Sequence, residues 1–179
     1  MRHRHPLLSA VLLLLLITAG CTDGEAGATP EGFTRHEAEG FSVSTPEGWT
    51  VRADQPDRLM VVGVATVEDS VEALDVKVGP ISGDFDAAIL GAIDPFRFGA
   101  VDDYQTIEER EVEVAGADRG FIFDATYQDS DAAQRTRQWD VFAADEGGSQ
   151  VVYLSLKAPE EVFDEAQMSA ILSSLEVSL

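Results

Sequence analysis

The chain has 179 residues and carries 33 acidic against 12 basic side chains, which gives a formal net charge of −21 at neutral pH. This acid excess argues against a nucleic-acid-binding protein, because neutralising phosphates requires clustered lysines and arginines. With 45% hydrophobic residues the chain can bury a core. Its single cysteine permits neither an internal disulfide nor a thiolate cage for zinc.

The first twenty residues have the pattern of an export signal. Arg2 and Arg4 precede the apolar stretch 7–20. As a helix that stretch would cover only about 21 Å, which is short of the ~30 Å hydrocarbon core of a membrane. The sequence therefore predicts a signal peptide over residues 1–20 rather than a membrane-spanning helix.

The residues around Cys21 resemble a bacterial lipobox. Thr18, Ala19 and Gly20 are small and stand directly before the only cysteine of the chain. The resemblance implies cleavage before Cys21, a diacylglycerol on its thiol and an acylated new N-terminus. Because two or more acyl chains give stable anchoring, we expect a lipoprotein held in the bilayer on the extracytoplasmic face of the cell membrane. The alternative is a plain secreted protein with a chance cysteine at the cleavage site.

Residues 21–40 have the composition of a flexible tether. The segment contains several glycines and acids, Pro30 and few apolar residues, a mixture that is typical of coil. A globular domain then covers residues 41–179, with Phe33 as the alternative first residue. His36, the single histidine left after removal of the signal, falls in the predicted tether and is a weak candidate for a catalytic base.

The first half of the domain alternates between strand-like and turn-like stretches. Residues 41–45 have a period of two, 46–49 form a turn with Pro and Gly, and 50–53 return as the second strand of a hairpin. Residues 59–67 are apolar on both faces, which predicts a central strand covered on both sides. Residues 73–79 alternate again.

The second half predicts two helices and a meander. Asp84 can cap a helix over 84–93, and a loop follows over 95–103. Four strands come next, at 106–115, 119–128, 135–144 and 150–158. Asp164 can cap a last helix with Gln167 in a capping box. The predicted fold class is α+β, with a single antiparallel sheet of about six to eight strands flanked by helices.

Two short patterns resemble the Mog1/PsbP-like superfamily over roughly residues 33–179. One is the opening Phe41-Ser-Val-Ser-Thr-Pro-Glu-Gly-Trp49, and the other is Phe163-Asp164, a short helix and Ser174-Leu-Glu-Val177. Within that superfamily the chain is similar to actinobacterial lipoproteins of the LpqN/LpqT type, and its scarcity of lysine suits a GC-rich genome. The resemblance implies an α/β/α sandwich that serves as a non-catalytic binding or accessory domain, with no catalytic residues to carry over.

The sequence predicts no enzyme, no cofactor and no metal site. It has no Gly-rich phosphate loop, no nucleophile elbow and no metalloprotease histidine pair. Carboxylate pairs are too numerous to single out. Weak calcium sites are conceivable in four acidic turns, none with EF-hand spacing. These turns are Glu68-Asp69, Asp102-Asp103, Asp129-Ser-Asp131 and Asp145-Glu146.

Four aromatic residues are the weak candidates for a binding surface, because aromatic side chains dominate binding hot spots. Trp49 and Trp139 are expected mainly to build the core. Phe96 and Phe98 follow Pro95 in a predicted loop, which we expect to plug the sheet rather than to form an exposed contact.

The leading functional hypothesis is a membrane-anchored lipoprotein that binds an envelope protein or another envelope component without catalysis. The alternative is a solute- or cation-binding protein that uses an acidic loop or a cleft at the helix–sheet junction. A hydrolase with two carboxylates is a third class, and it requires a deep pocket with two acids at catalytic separation.

Overall fold

The computed structural model describes residues 27–67, 70–81, 83–128 and 134–179. The predicted signal peptide, Cys21 and the acidic turns at 68–69 and 129–131 lie outside the described residues. The strands are β1 (Phe33–Ala38), β2 (Phe41–Pro46), β3 (Thr50–Gln55), β4 (Arg58–Val67), β5 (Ser70–Pro80), β6 (Asp102–Glu111), β7 (Arg119–Gln128), β8 (Arg135–Ala144), β9 (Gln150–Pro159) and β10 (Glu176–Val177). The helices are α1 (Phe85–Pro95) and α2 (Glu165–Ser173).

The strands form two antiparallel sheets. The main sheet has seven strands in the order β3-β4-β5-β9-β8-β7-β6, and a small sheet has three strands in the order β1-β2-β10. The predicted fold class and strand number are confirmed for the main sheet, and the small sheet is an addition to it. Strands β5 and β9 pair at the centre of the main sheet, although α1 and strands β6, β7 and β8 lie between them in the sequence.

The predicted opening hairpin is wrong. Strand β2 pairs with β1 and β10, whereas β3 pairs with β4 in the main sheet. The turn at 46–49 therefore carries the chain from one sheet to the other. Two alternating segments flanking a Pro-Gly turn satisfy the local rule for a hairpin, but tertiary packing gives each of them another neighbour.

The predicted boundary between tether and domain is also wrong. Residues 33–38, assigned to the tether, form β1, and Phe33 and Ala38 pack against the main core. His36 lies within this strand and its Nε2 is 2.9 Å from Oγ1 of Thr45. Burial lowers the pKa of this histidine. The alternative start at Phe33 agrees with the structure.

One face of the main sheet carries the larger core. Leu74, Val141 and Leu154 on that face are fully buried. They pack beneath α2 and the small sheet, which contribute a further set of buried apolar side chains. These are Phe41, Val43, Met168, Ile171, Leu172, Leu175 and Val177. Met168, Ile171 and Leu172 form the buried face of α2 and have the i, i+3, i+4 spacing of an amphipathic helix.

The opposite face carries a second, smaller core beneath α1. Phe85, Ile89 and Ile93 of the helix pack on Phe123 and Phe142 of the sheet. Asp84 and Asp164 cap the two helices as predicted, but the Gln167 side chain donates to Glu72 at 3.3 Å instead of completing a capping box. The Asp84 carboxylate accepts from the Ala87 N–H at 2.8 Å, and that of Asp164 accepts from the Ala166 and Gln167 N–H groups. Helices on both faces give the α/β/α layering.

Two further predictions need correction. Strand β4 is second from the edge rather than central, and Val64 in it is 72% exposed. The predicted loop 95–103 is shorter than expected, since α1 runs to Pro95, helical backbone continues into Phe96 and ends before Phe98 and Gly99, and β6 begins at Asp102. A proline and two aromatic residues favour a loop locally, but a sheet partner and helix packing override that preference.

Arg137 of β8 links helix α2 to the sheet through two ion pairs. Its guanidinium donates twice to the Asp124 carboxylate, at 3.0 and 2.7 Å, and reaches Glu165 of α2 at 2.7 Å. The hydrogen bond to Asp124 is the main cause that raises the pKa of Arg137. Within the described residues, no helix is long and apolar enough to span a membrane.

Gly116, in the connection between β6 and β7, lies very close to β10 of the small sheet. A β-carbon on it would lie 2.0 Å from the Val177 carbonyl oxygen, next to the bond from the Val177 N–H to the Ala115 carbonyl. Gly147 has a similar positive φ, 73° against 77°, but open space where its β-carbon would be. The two glycines therefore separate the effect of the clash from that of backbone strain.

We predict that Gly116→Ala destabilises the fold more than Gly147→Ala. Both substitutions force alanine into the left-handed region, at a cost of about 1–2 kcal/mol. Only Gly116→Ala also displaces β10, which adds about 1–3 kcal/mol. Urea unfolding of the two variants measures the difference, and equal losses of stability would contradict the close packing of β10 on residue 116.

Candidate functional site

A cleft lies between α1 and the face of the main sheet beneath it. Its volume is about 700 Å³, within the range of roughly 300–1,000 Å³ that small-molecule sites occupy. Side chains from the sheet form its floor, and one side of α1 forms a wall. The apolar lining consists of Met60, Ala73, Gly79, Pro80, Ala87, Ala88, Gly91, Ala92, Phe96, Val101, Phe142 and Val151, and the polar lining of Asp75, Lys77, Tyr127, Gln138, Tyr153, Ser155 and Lys157.

The cleft exists because α1 presents two kinds of side chain to the sheet. Phe85, Ile89 and Ile93 fill the space over one half of the sheet. The helix positions beside them, among them Ala88 and Gly91, are small. They cannot fill the gap between the helix backbone and strands β4, β5 and β9, so that part of the sheet face remains accessible.

The floor of the cleft is a chain of hydrogen bonds. The Tyr127 hydroxyl donates to Oε1 of Gln138 at 2.8 Å. The Gln138 amide donates to both oxygens of Asp140, at 2.7 and 2.8 Å. The Tyr153 hydroxyl donates to Oδ1 of Asp140 at 2.5 Å, and the Ser155 side chain bonds to the same carboxyl.

Asp140 is the acidic centre of this network and is 4% exposed. Burial raises the pKa of its carboxyl, while the hydrogen bonds from Tyr153, Gln138 and Ser155 and the charge of Lys157 act in the opposite direction. Burial and the neighbouring Asp140 carboxylate raise the pKa of the Tyr153 hydroxyl. The tyrosine therefore acts as a hydrogen-bond donor and holds its proton at neutral pH.

Asp75 is the second acid on the floor, and Arg58 holds it. The guanidinium donates to both carboxylate oxygens at 2.9 Å. The two acids of the cleft floor are thus bonded to different groups. Asp75 is bonded to an arginine, and Asp140 is bonded to neutral donors. Each carboxylate is therefore already hydrogen-bonded within the protein.

Of the four aromatic candidates, only Phe96 lines the cleft. Its ring lies 6.0 Å from that of Tyr127, tilted by 50°. Phe98 turns away and is 83% exposed. Of the two phenylalanines expected to plug the sheet, only Phe96 packs in the cleft. Phe98 is an exposed apolar side chain just after the end of α1.

The two tryptophans lie on the opposite face of the sheet. Trp139 is 6% exposed and packs edge-on against Phe163 at 5.5 Å, so it is a core residue and not a surface anchor. Its buried indole N–H has no hydrogen-bond partner among the described residues. Trp49 is half-buried against the larger core, where it lies over Gly63 together with Glu72. Burial raises the pKa of Glu72.

The sequence analysis missed the polar floor. Gln138, Asp140, Tyr153 and Ser155 occupy the strand positions that alternate with core residues, and such positions read as solvated. Three adjacent strands carry polar residues at the same register, because Ser155 of β9 lies opposite Asp75 of β5 on one side and Asp140 of β8 on the other. A run of polar residues opposite each other in strands that lie under a helix is the available signal, but using it requires knowing which strands are neighbours.

The acidic turns that the structure describes show no cation site. Asp103 at the start of β6 pairs with Arg135, whose hydrogen bond lowers the pKa of the aspartate. Within the described part of the chain, no group of three or more His, Cys, Asp or Glu side chains is placed to hold a metal ion.

Comparisons with known proteins identify the fold. No protein-family model matches the chain, and neither does any curated protein. Among solved structures, LpqN, involved in cell envelope biogenesis in Mycobacterium tuberculosis, matches with a TM-score of 0.57 at 14% identity, over 82% of this chain and 91% of LpqN. The Ran-binding protein Mog1p of Saccharomyces cerevisiae matches with a TM-score of 0.51 at 14% identity, over 82% of this chain and 86% of Mog1p.

A protein from Bacteroides thetaiotaomicron matches with a TM-score of 0.53 at 10% identity, over 83% of this chain. This chain spans about half of that protein, 49% of its length. At such identities these likenesses show the fold alone. They confirm the predicted fold, an antiparallel sheet flanked by helices, which the chain shares with LpqN and Mog1p.

We predict that Asp140 titrates above the ordinary aspartate pKa of ~3.9. Because burial raises its pKa in the folded state, its contribution to stability is complete below the unfolded pKa and is lost as pH rises through the folded pKa. The stability of Asp140→Asn relative to the natural protein should therefore increase from about pH 4 upward and then level off.

Denaturant unfolding across this pH range measures that relative stability. The lost hydrogen bonds of Asp140→Asn give an offset that does not depend on pH, so the slope is the informative quantity. Carboxyl NMR titration measures the pKa directly, and Tyr153→Phe should raise it further because the variant removes a donor to the carboxylate. A measured pKa at or below the ordinary value would contradict the description of this site.

Proposed function

We propose that the chain is a lipid-anchored binding protein on the outer face of the cell membrane. It holds a component of the cell envelope in the cleft beside α1 and does not change that component chemically. The observation that carries the proposal is the cleft itself, which combines a largely apolar lining with a few fixed polar groups, the usual composition of a small-molecule site.

The chemistry of the cleft supports binding rather than catalysis. Its lining contains neither histidine nor cysteine, and His36 lies in the small sheet instead. The carboxylates of Asp75 and Asp140 are held by hydrogen bonds. The lining hydroxyls of Tyr153 and Ser155 both bond to Asp140, a carboxyl that is buried beneath the floor and also bonded to Gln138.

The lipobox supports the anchor, and the fold supports the setting. Cys21 follows an apolar stretch of signal-peptide length. LpqN, which shares the fold, is involved in cell envelope biogenesis in its own organism. Residues between Cys21 and β1 would then join the anchor to the domain.

A protein partner is the second candidate. The exposed side chains of Phe98 and Leu90, 83% and 49% accessible, lie on and after α1, and Mog1p shows that one member of this fold binds a protein. This surface differs from the cleft, because neither side chain lines it. A partner could contact it while the cleft is occupied.

We predict that Cys21→Ala releases the protein from membranes. Without a thiol no diacylglycerol can be attached. A single acyl chain on the new N-terminus would give only marginal membrane binding. Detergent partitioning and the mass of the N-terminal peptide in the native host measure the change. Thr18→Leu, which brings the lipobox nearer to its usual pattern, serves as the control and should remain anchored. A Cys21→Ala protein that has lost residues 1–20 and still stays fully in the membrane fraction would overturn the anchor.

We predict that the cleft binds the neutral apolar dye N-phenyl-1-naphthylamine with saturation at one equivalent. Gly91→Trp places a large ring in the cleft and should abolish this binding, since Gly91 lines the cleft and has space beyond its Cα. Leu90→Trp adds a similar ring one residue away, on the exposed side of α1.

Dye fluorescence gives the affinity, and circular dichroism verifies that both variants fold. Leu90→Trp and Phe98→Ser should bind as the natural protein does. Absence of saturable binding to the natural protein, or equal binding by Gly91→Trp, would overturn the cleft as the binding site.

A further inference from the structure

We infer that the ligand of the cleft is an amphiphile with an acidic head group, such as a long-chain carboxylate or alkyl phosphate. The inference rests on the proposed function, because it assigns a ligand class to the same cleft. Its basis is the placement of the two lysines of the chain and the bonding state of every other polar side chain on the lining.

The two lysines of the chain both line the cleft. Lys77 on β5 and Lys157 on β9 are the only lysines in a sequence with 33 acidic residues. Both are exposed. The strands that carry them are paired, with Ala73 opposite Lys157 and Tyr153 opposite Lys77. The backbone position of Lys157 is therefore offset from that of Lys77 by four residues along the strand direction, which is about 13 Å between the Cα positions.

Neither lysine forms an ion pair within the described part of the chain, although acids are abundant. Most described arginines do pair with a carboxylate, namely those at 35, 58, 97, 110, 119, 135 and 137. Lys77 lies over the Tyr153 ring, 4.8 Å from its centroid, a contact that leaves ammonium hydrogens free. Neither ammonium group of the cleft is thus held in a direct ion pair among the described residues, although the charge of Lys157 also acts on the buried Asp140 carboxyl.

The other polar side chains of the lining are already bonded. Asp75 is taken by Arg58. Tyr127, Gln138, Tyr153 and Ser155 all belong to the network that ends on Asp140. Since the lysines are the only charged lining groups without such a partner, a ligand is recognised best if it brings an anionic acceptor to them.

The rest of the ligand must be apolar. The largely apolar lining includes Met60, Ala88, Gly91, Phe96 and Phe142, whose side chains offer contact area but no hydrogen bonds. A formal charge of −21 also disfavours the approach of a small free anion. Apolar contact is therefore needed to hold the ligand, while the lysines select its head group.

Competition for the bound dye tests this inference. Dodecanoate and dodecyl phosphate carry the acidic head, dodecanol has the same tail without the charge, and inorganic phosphate has the charge without a tail. For the natural protein we expect both anionic amphiphiles to displace the dye at about tenfold lower concentration than dodecanol. Inorganic phosphate should not displace it.

The matched variants are Lys77→Gln/Lys157→Gln and Arg52→Gln. The double lysine variant should lose the tenfold preference and still bind dodecanol, whereas Arg52→Gln removes an exposed cation of β3 outside the cleft and should keep the preference. High salt should reduce the preference in the natural protein, because it screens exposed charges.

The outcomes separate this inference from the proposed function. If the dye binds but anionic and neutral amphiphiles compete equally, or if the preference survives in the double lysine variant, the assignment of an acidic head group is wrong and the binding function stands. If inorganic phosphate alone displaces the dye, the apolar requirement is wrong. If the dye does not bind at all, the proposed function itself fails.

Discussion

A sheet whose central strands are apolar on one face and mixed on the other must be covered on both sides, and the two covers here are unequal. Helix α2 and the small sheet seal one face with large side chains such as Phe41 and Met168, which are fully buried. Helix α1 seals only part of the other face, through Phe85, Ile89 and Ile93. The cleft exists because the other side chains that α1 presents, such as Ala88 and Gly91, are too small to cover the rest of that sheet face.

The incomplete cover explains the polar floor. Side chains under the open part of the sheet are partly shielded from water, and a buried polar group without a partner would be costly. Gln138, Asp140 and Tyr153 meet that requirement by bonding with one another. A fully bonded network of this kind rigidifies its surroundings. It also engages most of the polar side chains that line the cleft.

Local sequence patterns predicted the regular elements well where local and tertiary forces agree. The strands at 119–128 and 135–144 match β7 and β8, and Asp84 and Asp164 cap helices as expected. Such elements depend on a period and a cap, which are both short-range properties. The two α-helical covers and the number of strands in the main sheet followed from them.

The failures come from pairing between distant segments. Residues 33–38 look like coil by composition, but β2 offers them a strand edge. The turn at 46–49 looks like a hairpin, but the strands on either side of it join different sheets. The floor of the cleft can be predicted only if the pairing of the strands is known, since Asp140 and Ser155 become neighbours through the register of β8 and β9. Aromatic residues were therefore a poor guide to the site: Phe96 reaches it, and Trp139 is buried on the other face.

The central claim is that the cleft beside α1 is where this protein binds its ligand. Amide NMR of the protein during titration with dodecanoate tests it most directly. The account predicts saturable shifts for residues on both walls, with Gly79 and Ser155 on the sheet and Gly91 on α1 moving together. Shifts confined to α2 and the small sheet, or to the exposed end of α1 around Phe98, would contradict it.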